Sequence, residues 1–295
     1  MDRIDFQLHA LYPQYSKTQW ARFLSMGLVL WRGKPVSKGR RSEKLRIDTL
    51  DIQWSKIRSL GEWNIIPQGL PLQLIYKDEH LAAYTKPPGL PSHPLTTSET
   101  DSVVHRLVKE YVEAQQNQEG FLLNRLDTLT SGLILWAVNE SKYQDLTPLF
   151  RRGSSLGIKK YYVALVLGHP PWESTECSVE LVSRGKRQDP LEESDGSDTR
   201  TEFSVLHRLS LDGNEVSILT CSLEHGRRHQ IRAHLKILGF PLAGDKVYGP
   251  GILAGAKKLD GGHGLHSWKI EIAPGQLYPK GLLLQSELPQ WALMD

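Results

Sequence analysis

Short apolar runs set between turn residues dominate the chain from residue 71 onward, and they restrict its fold more than any other feature. Residues 72–76 form one candidate strand, 77–80 a turn and 81–84 the return of a hairpin. Lys86-Pro87-Pro88-Gly89-Leu90 then has to leave the sheet, because two successive prolines donate no ladder hydrogen bonds. Residues 133–138, 161–167 and 216–223 are further apolar strands. Val103, Val104, Leu107, Val108, Tyr111 and Val112 recur at helical spacing, with Asp101 or Ser102 near the cap. Helices therefore alternate irregularly with strands and hairpins. The expected class is α+β: a mixed, largely antiparallel sheet with flanking helices, not a regular βαβ succession. Residues 185–199, acidic and rich in Ser and Gly, read as an exposed loop.

At 295 residues the chain is long enough for two domains. Its mean hydropathy of −0.37 is that of an ordinary globular protein. No apolar run approaches the roughly 20 residues needed to cross a bilayer, and no apolar signal core follows Met1, so a cytoplasmic protein without a membrane partner is expected. Cys177 and Cys221 stand far apart and form no CxxC pair, which argues against a zinc ribbon or a disulfide scaffold. Cys221 lies in an apolar strand and reads as core.

The first 55 residues stand out by charge. Residues 1–60 carry 12 basic side chains against 5 acidic, while the whole chain has 36 against 33. Arg32, Lys34, Lys38, Arg40, Arg41, Lys44 and Arg46 cluster there, opposed only by Glu43, which suggests a polyanionic partner. Ser16 is a plausible helix cap ahead of Trp20, Phe23 and Leu24; Gly27 ends that helix, 28–31 is strand-like and Arg32-Gly33-Lys34-Pro35 turns the chain. This order resembles the ribosomal S-four-type RNA-binding module, a small α/β domain. The resemblance implies RNA contacts from Arg22, Arg32, Lys34, Lys38, Arg40 and Arg41. Residues 56–70 read as a linker, leaving 71–295 as a second domain.

Asn124-Arg125-Leu126-Asp127-Thr128-Leu129-Thr130-Ser131-Gly132 runs directly into the 133–138 strand. A carboxylate in such a turn is held by hydroxyls and backbone amides, although most aspartates so placed only cap the turn. The run Arg-Leu-Asp-x-x-Thr-Ser-Gly resembles the signature of the RluA-type pseudouridine synthases. Further segments match that family in order: Tyr76 through Lys86-Pro87-Pro88-Gly89 to His93-Pro94; Lys160-Tyr161-Tyr162; Gly226-Arg227-Arg228-His229-Gln230-Ile231-Arg232 through Gly244-Asp245 to Tyr248-Gly249; and Leu265-His266-Ser267-Trp268. The resemblance implies the pseudouridine synthase fold and an isomerase that acts on a flipped-out uridine of structured RNA, ribosomal or transfer, with the large-subunit ribosomal kind favoured by the N-terminal module. It implies Asp127 as the catalytic carboxylate, attacking the sugar or helping to form a glycal, and Tyr162 as the ring that stacks on the base and takes part in the proton chemistry. Arg232 is implied as the cation that pairs with Asp127. Arg125 would fill the gap left by the base; Asn124, Leu126, Thr130, His229 and Leu235 complete the implied substrate contacts. No cofactor or metal is implied, and a monomer is expected.

Asn124 stands where the family usually has His, and Arg228 where it usually has Thr or Ser. An RNA-binding protein that kept the fold and lost catalysis is therefore the alternative. His225 and His229 are four apart, but no Glu follows His225 as the metalloprotease helix requires, and His229 and His234, five apart, would diverge on a helix.

Overall fold

The computed structural model describes residues 4–12, 20, 23–24, 28–36, 50–53, 71–93, 101–113, 121–150, 157–184, 187–190, 199–211, 213–224, 226–251, 259 and 262–293. The chain divides into two compact units, Met1–Ile65 and Ile66–Asp295. Ser16, Arg22, Lys38, Arg40, Arg41, His225 and the 56–70 linker all lie outside the described residues.

In the first unit, α1 (Ile4–Leu11) precedes a three-stranded antiparallel sheet of β1 (Val29–Trp31), β2 (Lys34–Pro35) and β3 (Leu50–Ile52), in the order β2-β1-β3. Trp20 packs edge-on against Phe23 at 5.5 Å, and both join Leu8, Leu24 and Val29 in one core. The two-residue turn from β1 to β2 puts Arg32 at φ 51° and Gly33 at φ 74°, the left-handed pair that suits a tight hairpin. Arg32 covers the Trp31 ring at 4.8 Å, and Lys34 and Pro35 are exposed. The sequence reading anticipates the β1–β2 hairpin but neither α1 nor β3, which are short and carry little periodic signal.

The second unit is built on β4 (Gln73–Lys77), β5 (Leu81–Lys86), β6 (Phe121–Leu122), β7 (Ser131–Ala137), β8 (Ile158–Leu167), β9 (Ser174–Cys177), β12 (Thr201–Leu211), β13 (Asn214–Leu223), β14 (Leu265–Ile272) and β15 (Leu282–Gln285). They form one sheet in the order β4-β5-β7-β14-β8-β13-β12-β9, with β6 added to β7 and β15 to β14. The β7–β14 pairing is parallel and the other pairings are antiparallel, so the sheet is mixed and largely antiparallel as expected. β10 (Leu181–Arg184) and β11 (Arg187–Pro190) make a separate hairpin. The expected 185–199 loop is thus partly structured, because Leu181 is buried with Ala233 and Tyr248 and its strand needs a partner.

Three helices flank the sheet among the described residues: α2 (Val103–Glu113), α3 (Glu140–Phe150) and α4 (Gln230–Ile237). Alternate residues of β7 feed different cores. Ile134 and Trp136 pack with Val103 and Leu107 of α2, whereas Leu133 and Leu135 pack with Leu146 of α3. That double burial explains why β7 reads as an unbroken apolar run in an otherwise antiparallel sheet. Ile231 and Leu235 of α4 cover Ala164, Val166 and Cys221 on β8 and β13. Cys221 is completely buried, which raises its thiol pKa. None of the described helices is long and apolar enough to cross a membrane.

Candidate active site

β7 starts where the chain cannot carry a side chain. Gly132 has φ 104°, and a Cβ there would overlap the carbonyl of Ser267 on β14. The close approach lets β7 and β14 pair through His266 with Ser131 and Ser267 with Gly132. β14 in turn pairs with β8, Ser267 opposite Tyr162. The turn that carries Asp127 therefore lies one strand away from Tyr162, and the topology alone brings the two together.

Asp127 is 24% exposed and Arg232 7%, so solvent reaches the carboxylate while its cation is covered. Arg232 Nη1 donates to Asp127 Oδ2 at 2.7 Å, Nε to Asp245 Oδ2 at 2.7 Å and Nη2 to Asp245 Oδ1 at 3.0 Å. Such charge-assisted, partly bidentate bonds are short and directional. Asp245 has no exposed surface. Burial pushes its carboxyl pKa up, but Arg232 and the backbone N–H groups of Tyr248 and Val247 outweigh that and hold it below the usual value. One guanidinium is thereby fixed by a buried carboxylate and offered to a reachable one.

The second oxygen of Asp127 faces His229, with Nε2 to Oδ1 at 3.7 Å. His229 opens α4 in the left-handed conformation, φ 58° and ψ 15°, a strained state for a residue with a side chain. Its Nδ1 lies 3.2 Å from the Tyr248 hydroxyl, which accepts the Gln188 backbone N–H at 2.6 Å. Tyr248 can donate its own proton to Nδ1, in the tautomer that carries the imidazole proton on Nε2, towards Asp127. Burial lowers the His229 pKa and favours the neutral ring.

Lys86 is completely buried at the end of β5, two residues past the expected end of that strand. Its ammonium donates to the carbonyls of Pro87, Leu90 and Thr128 at 2.9, 2.7 and 3.0 Å, so all three protons have acceptors. It ties the Pro87–Leu90 turn to the Asp127 turn. Burial lowers its pKa to about 7, against the opposing charge of Asp127. Burial, with a smaller contribution from Asp127, pushes the Tyr162 phenol up to about 12.

Several expected contacts sit elsewhere. Leu235, an expected substrate contact, has no exposed surface here and packs in the core under α4. Thr130 is 2% exposed and its hydroxyl is spent on His263, 2.9 Å away. Leu126 is buried, its backbone N–H and carbonyl both bonded to Ser92 Oγ. Asn124 Oδ1 accepts the Leu135 N–H at 2.7 Å and Nδ2 donates to the Leu133 carbonyl at 3.3 Å, extending the β6 pairing along β7 with a side chain. Arg125 is exposed. His234 is completely buried and bonded to Thr201 Oγ1 and the Val179 carbonyl. The sequence reading gives no role to Lys86, Asp245, Tyr248, His263 or His266, although all but His263 lie in motifs it quotes.

Comparison with known proteins gives a consistent result. The family model described as RNA pseudouridylate synthase matches residues 80–236. A protein of Zymomonas mobilis named ribosomal large subunit pseudouridine synthase D is 30% identical, over 84% of this chain and 77% of its own length. A Nitrosomonas europaea protein of the same name is 30% identical over 75% of this chain, and the match spans 63% of that protein's length. Among solved structures, human RNA pseudouridylate synthase domain containing 1 superposes with a TM-score of 0.58 at 20% identity, over 76% of this chain and 87% of the human one, a likeness of fold.

Proposed function

Because the chain belongs to the RNA pseudouridylate synthase family, we propose that it isomerises uridine to pseudouridine in structured RNA, with large-subunit ribosomal RNA as substrate. The observation that carries the reading is the solvent-reachable Asp127 carboxylate bonded to a buried Arg232 within the matched stretch, one strand away from Tyr162. The ribosomal preference rests on what the Zymomonas and Nitrosomonas relatives are named for.

The rearrangement breaks the bond between uracil N1 and ribose C1′, turns the base and joins C5 to C1′. C5 loses one proton and N1 gains one, so substrate and product hold the same atoms. The base must first leave its stack, at a cost of a few kcal/mol. In this proposal exposed Arg125 fills the vacated space with a planar cation, and Tyr162 stacks on the extruded ring. Asp127 acts at C1′ through a carboxylate held in place by its 2.7 Å bond from Arg232. Burial pushes the Tyr162 phenol up to about 12, so it keeps its proton at neutral pH, which suits a phenol that donates a hydrogen bond to the base. Asn124 is occupied by β7, so its difference from the family pattern does not by itself favour a non-catalytic protein.

The N-terminal unit is proposed to add phosphate contacts through Arg32 and Lys34. Replacing both by Gln is expected to weaken RNA binding and flatten its salt dependence while leaving turnover at saturation unchanged. The substrate is tested by incubating the protein with unmodified large-subunit ribosomal RNA and with transfer RNA, then quantifying pseudouridine in nuclease digests. Product in the ribosomal pool alone supports the full reading. Product only in transfer RNA leaves the chemistry and overturns the substrate.

A further inference from the structure

The proposed reaction uses a turn in which two of the three hydroxyl residues, Thr130 and Ser131, meet the segment that leads into β14. There each meets a histidine. Thr130 Oγ1 lies 2.9 Å from His263 Nε2, and Ser131 Oγ lies 2.8 Å from His266 Nδ1. Both rings are 3% exposed.

Ser286 Oγ lies 2.8 Å from His266 Nε2, 3.1 Å from the Ser267 carbonyl and 3.3 Å from that of Trp268, so both ring nitrogens of His266 have a hydroxyl partner. His263 is bonded through Nε2 alone, its Nδ1 having no hydrogen-bond partner among the described residues.

The backbone around these side chains is fitted closely. A Cβ on Gly262 would stand 2.8 Å from the Leu129 carbonyl and from Pro88 Cβ. The Gly264 N–H donates to Ala243, two residues before Asp245, and its carbonyl accepts from Leu165 on β8. Thr130 N–H itself donates to the Asp127 carbonyl at 3.0 Å. One short segment, 262–267, thus touches the Asp127 turn, the strand of Tyr162 and the loop of Asp245.

We infer that His263 and His266 are positioning residues: a two-point clamp that grips the Asp127 turn through Thr130 and Ser131 and sets its distance from Tyr162 and Arg232. This rests on Asp127 being the reacting carboxylate. A displacement of about 1 Å at a reacting group can cost on the order of 100-fold in rate. Loosening the clamp should therefore appear in turnover and not in RNA affinity.

The test is a steady-state kinetic mutant series on full-length protein, with Asp127→Asn as the control. Thr130→Val and His263→Leu are each expected to lower kcat by roughly 10- to 100-fold with KM for RNA unchanged. The double variant should be no slower than the worse single one, because both remove the same contact. His263→Gln and Thr130→Ser, which keep a donor and a hydroxyl, should recover to within about 3-fold of wild type. Ser131→Ala and His266→Leu should show the same coupling, and the near-isosteric Thr130→Val and Ser131→Ala keep each arm readable if a histidine variant fails to fold. Wild-type kcat in the folded Thr130→Val and Ser131→Ala proteins would overturn the clamp, as would rate losses that multiply in the double variants. A slow Asp127→Asn with normal clamp variants refutes the clamp alone; an active Asp127→Asn refutes the reading it rests on.

Discussion

Arg232 serves two carboxylates with one cation, and the two have different duties. Asp245 takes two of its bonds and is completely buried; Asp127 takes one and remains reachable. Removing the buried partner leaves the guanidinium covered and held at one point. Asp245→Asn is accordingly expected to lower kcat by about 10- to 100-fold and to destabilise the fold by about 3 kcal/mol, measured by urea unfolding. Tyr162→Phe keeps the ring and loses the phenol, so RNA affinity should persist while kcat falls by on the order of 100-fold or more. The pairing of Arg232 with Asp127 is expected from the sequence because each lies within a run of residues with a recognisable order, and the two side chains do meet. Leu235 and Thr130 show the limit of that legibility. Motif membership does not tell whether a side chain faces the cleft or the core, and here both face inward.

At the level of elements, the site hangs on β7 and the segments that pin its start. The strands 72–76, 133–138, 161–167 and 216–223 are legible because they are apolar and bounded by turns, and β4, β7, β8 and β13 form there. Apart from the β4–β5 hairpin, their pairing is not legible, since the sheet order depends on contacts such as β7 with β14 across more than a hundred residues. Asn124 illustrates the same point. From sequence it looks like a change near the reacting carboxylate, whereas its amide acts as one more rung on β7. Asn124→Ala leaves the Leu135 N–H without its acceptor and should cost about 1–3 kcal/mol of stability in urea melts. Asn124→Asp, which keeps that acceptor, should cost less.

Across the whole molecule, burial makes several histidines neutral, and this links stability to pH. It lowers the pKa values of His263 and His266 to about 4, below the ordinary 6.5 of an exposed imidazole. Between pH 6.5 and 4 the unfolded chain takes up protons at these positions and the native chain does not. Their contribution is therefore complete above pH 6.5 and is lost as the pH falls towards 4. The melting temperature should drop steeply across that interval, and a His263→Gln, His266→Gln double variant should show a shallower slope. A fall of equal steepness in the double variant would assign the acid sensitivity to other groups.

The chemistry itself is tested most directly by tritium release from RNA labelled at uracil C5, since isomerisation must expel that hydrogen. Wild-type protein and Asp127→Asn are compared with circular dichroism as the folding control. Release by wild type, with none above background from a folded Asp127→Asn that still binds RNA, is the expected result. Equal release from both proteins, or from neither while RNA binding is intact, would contradict it.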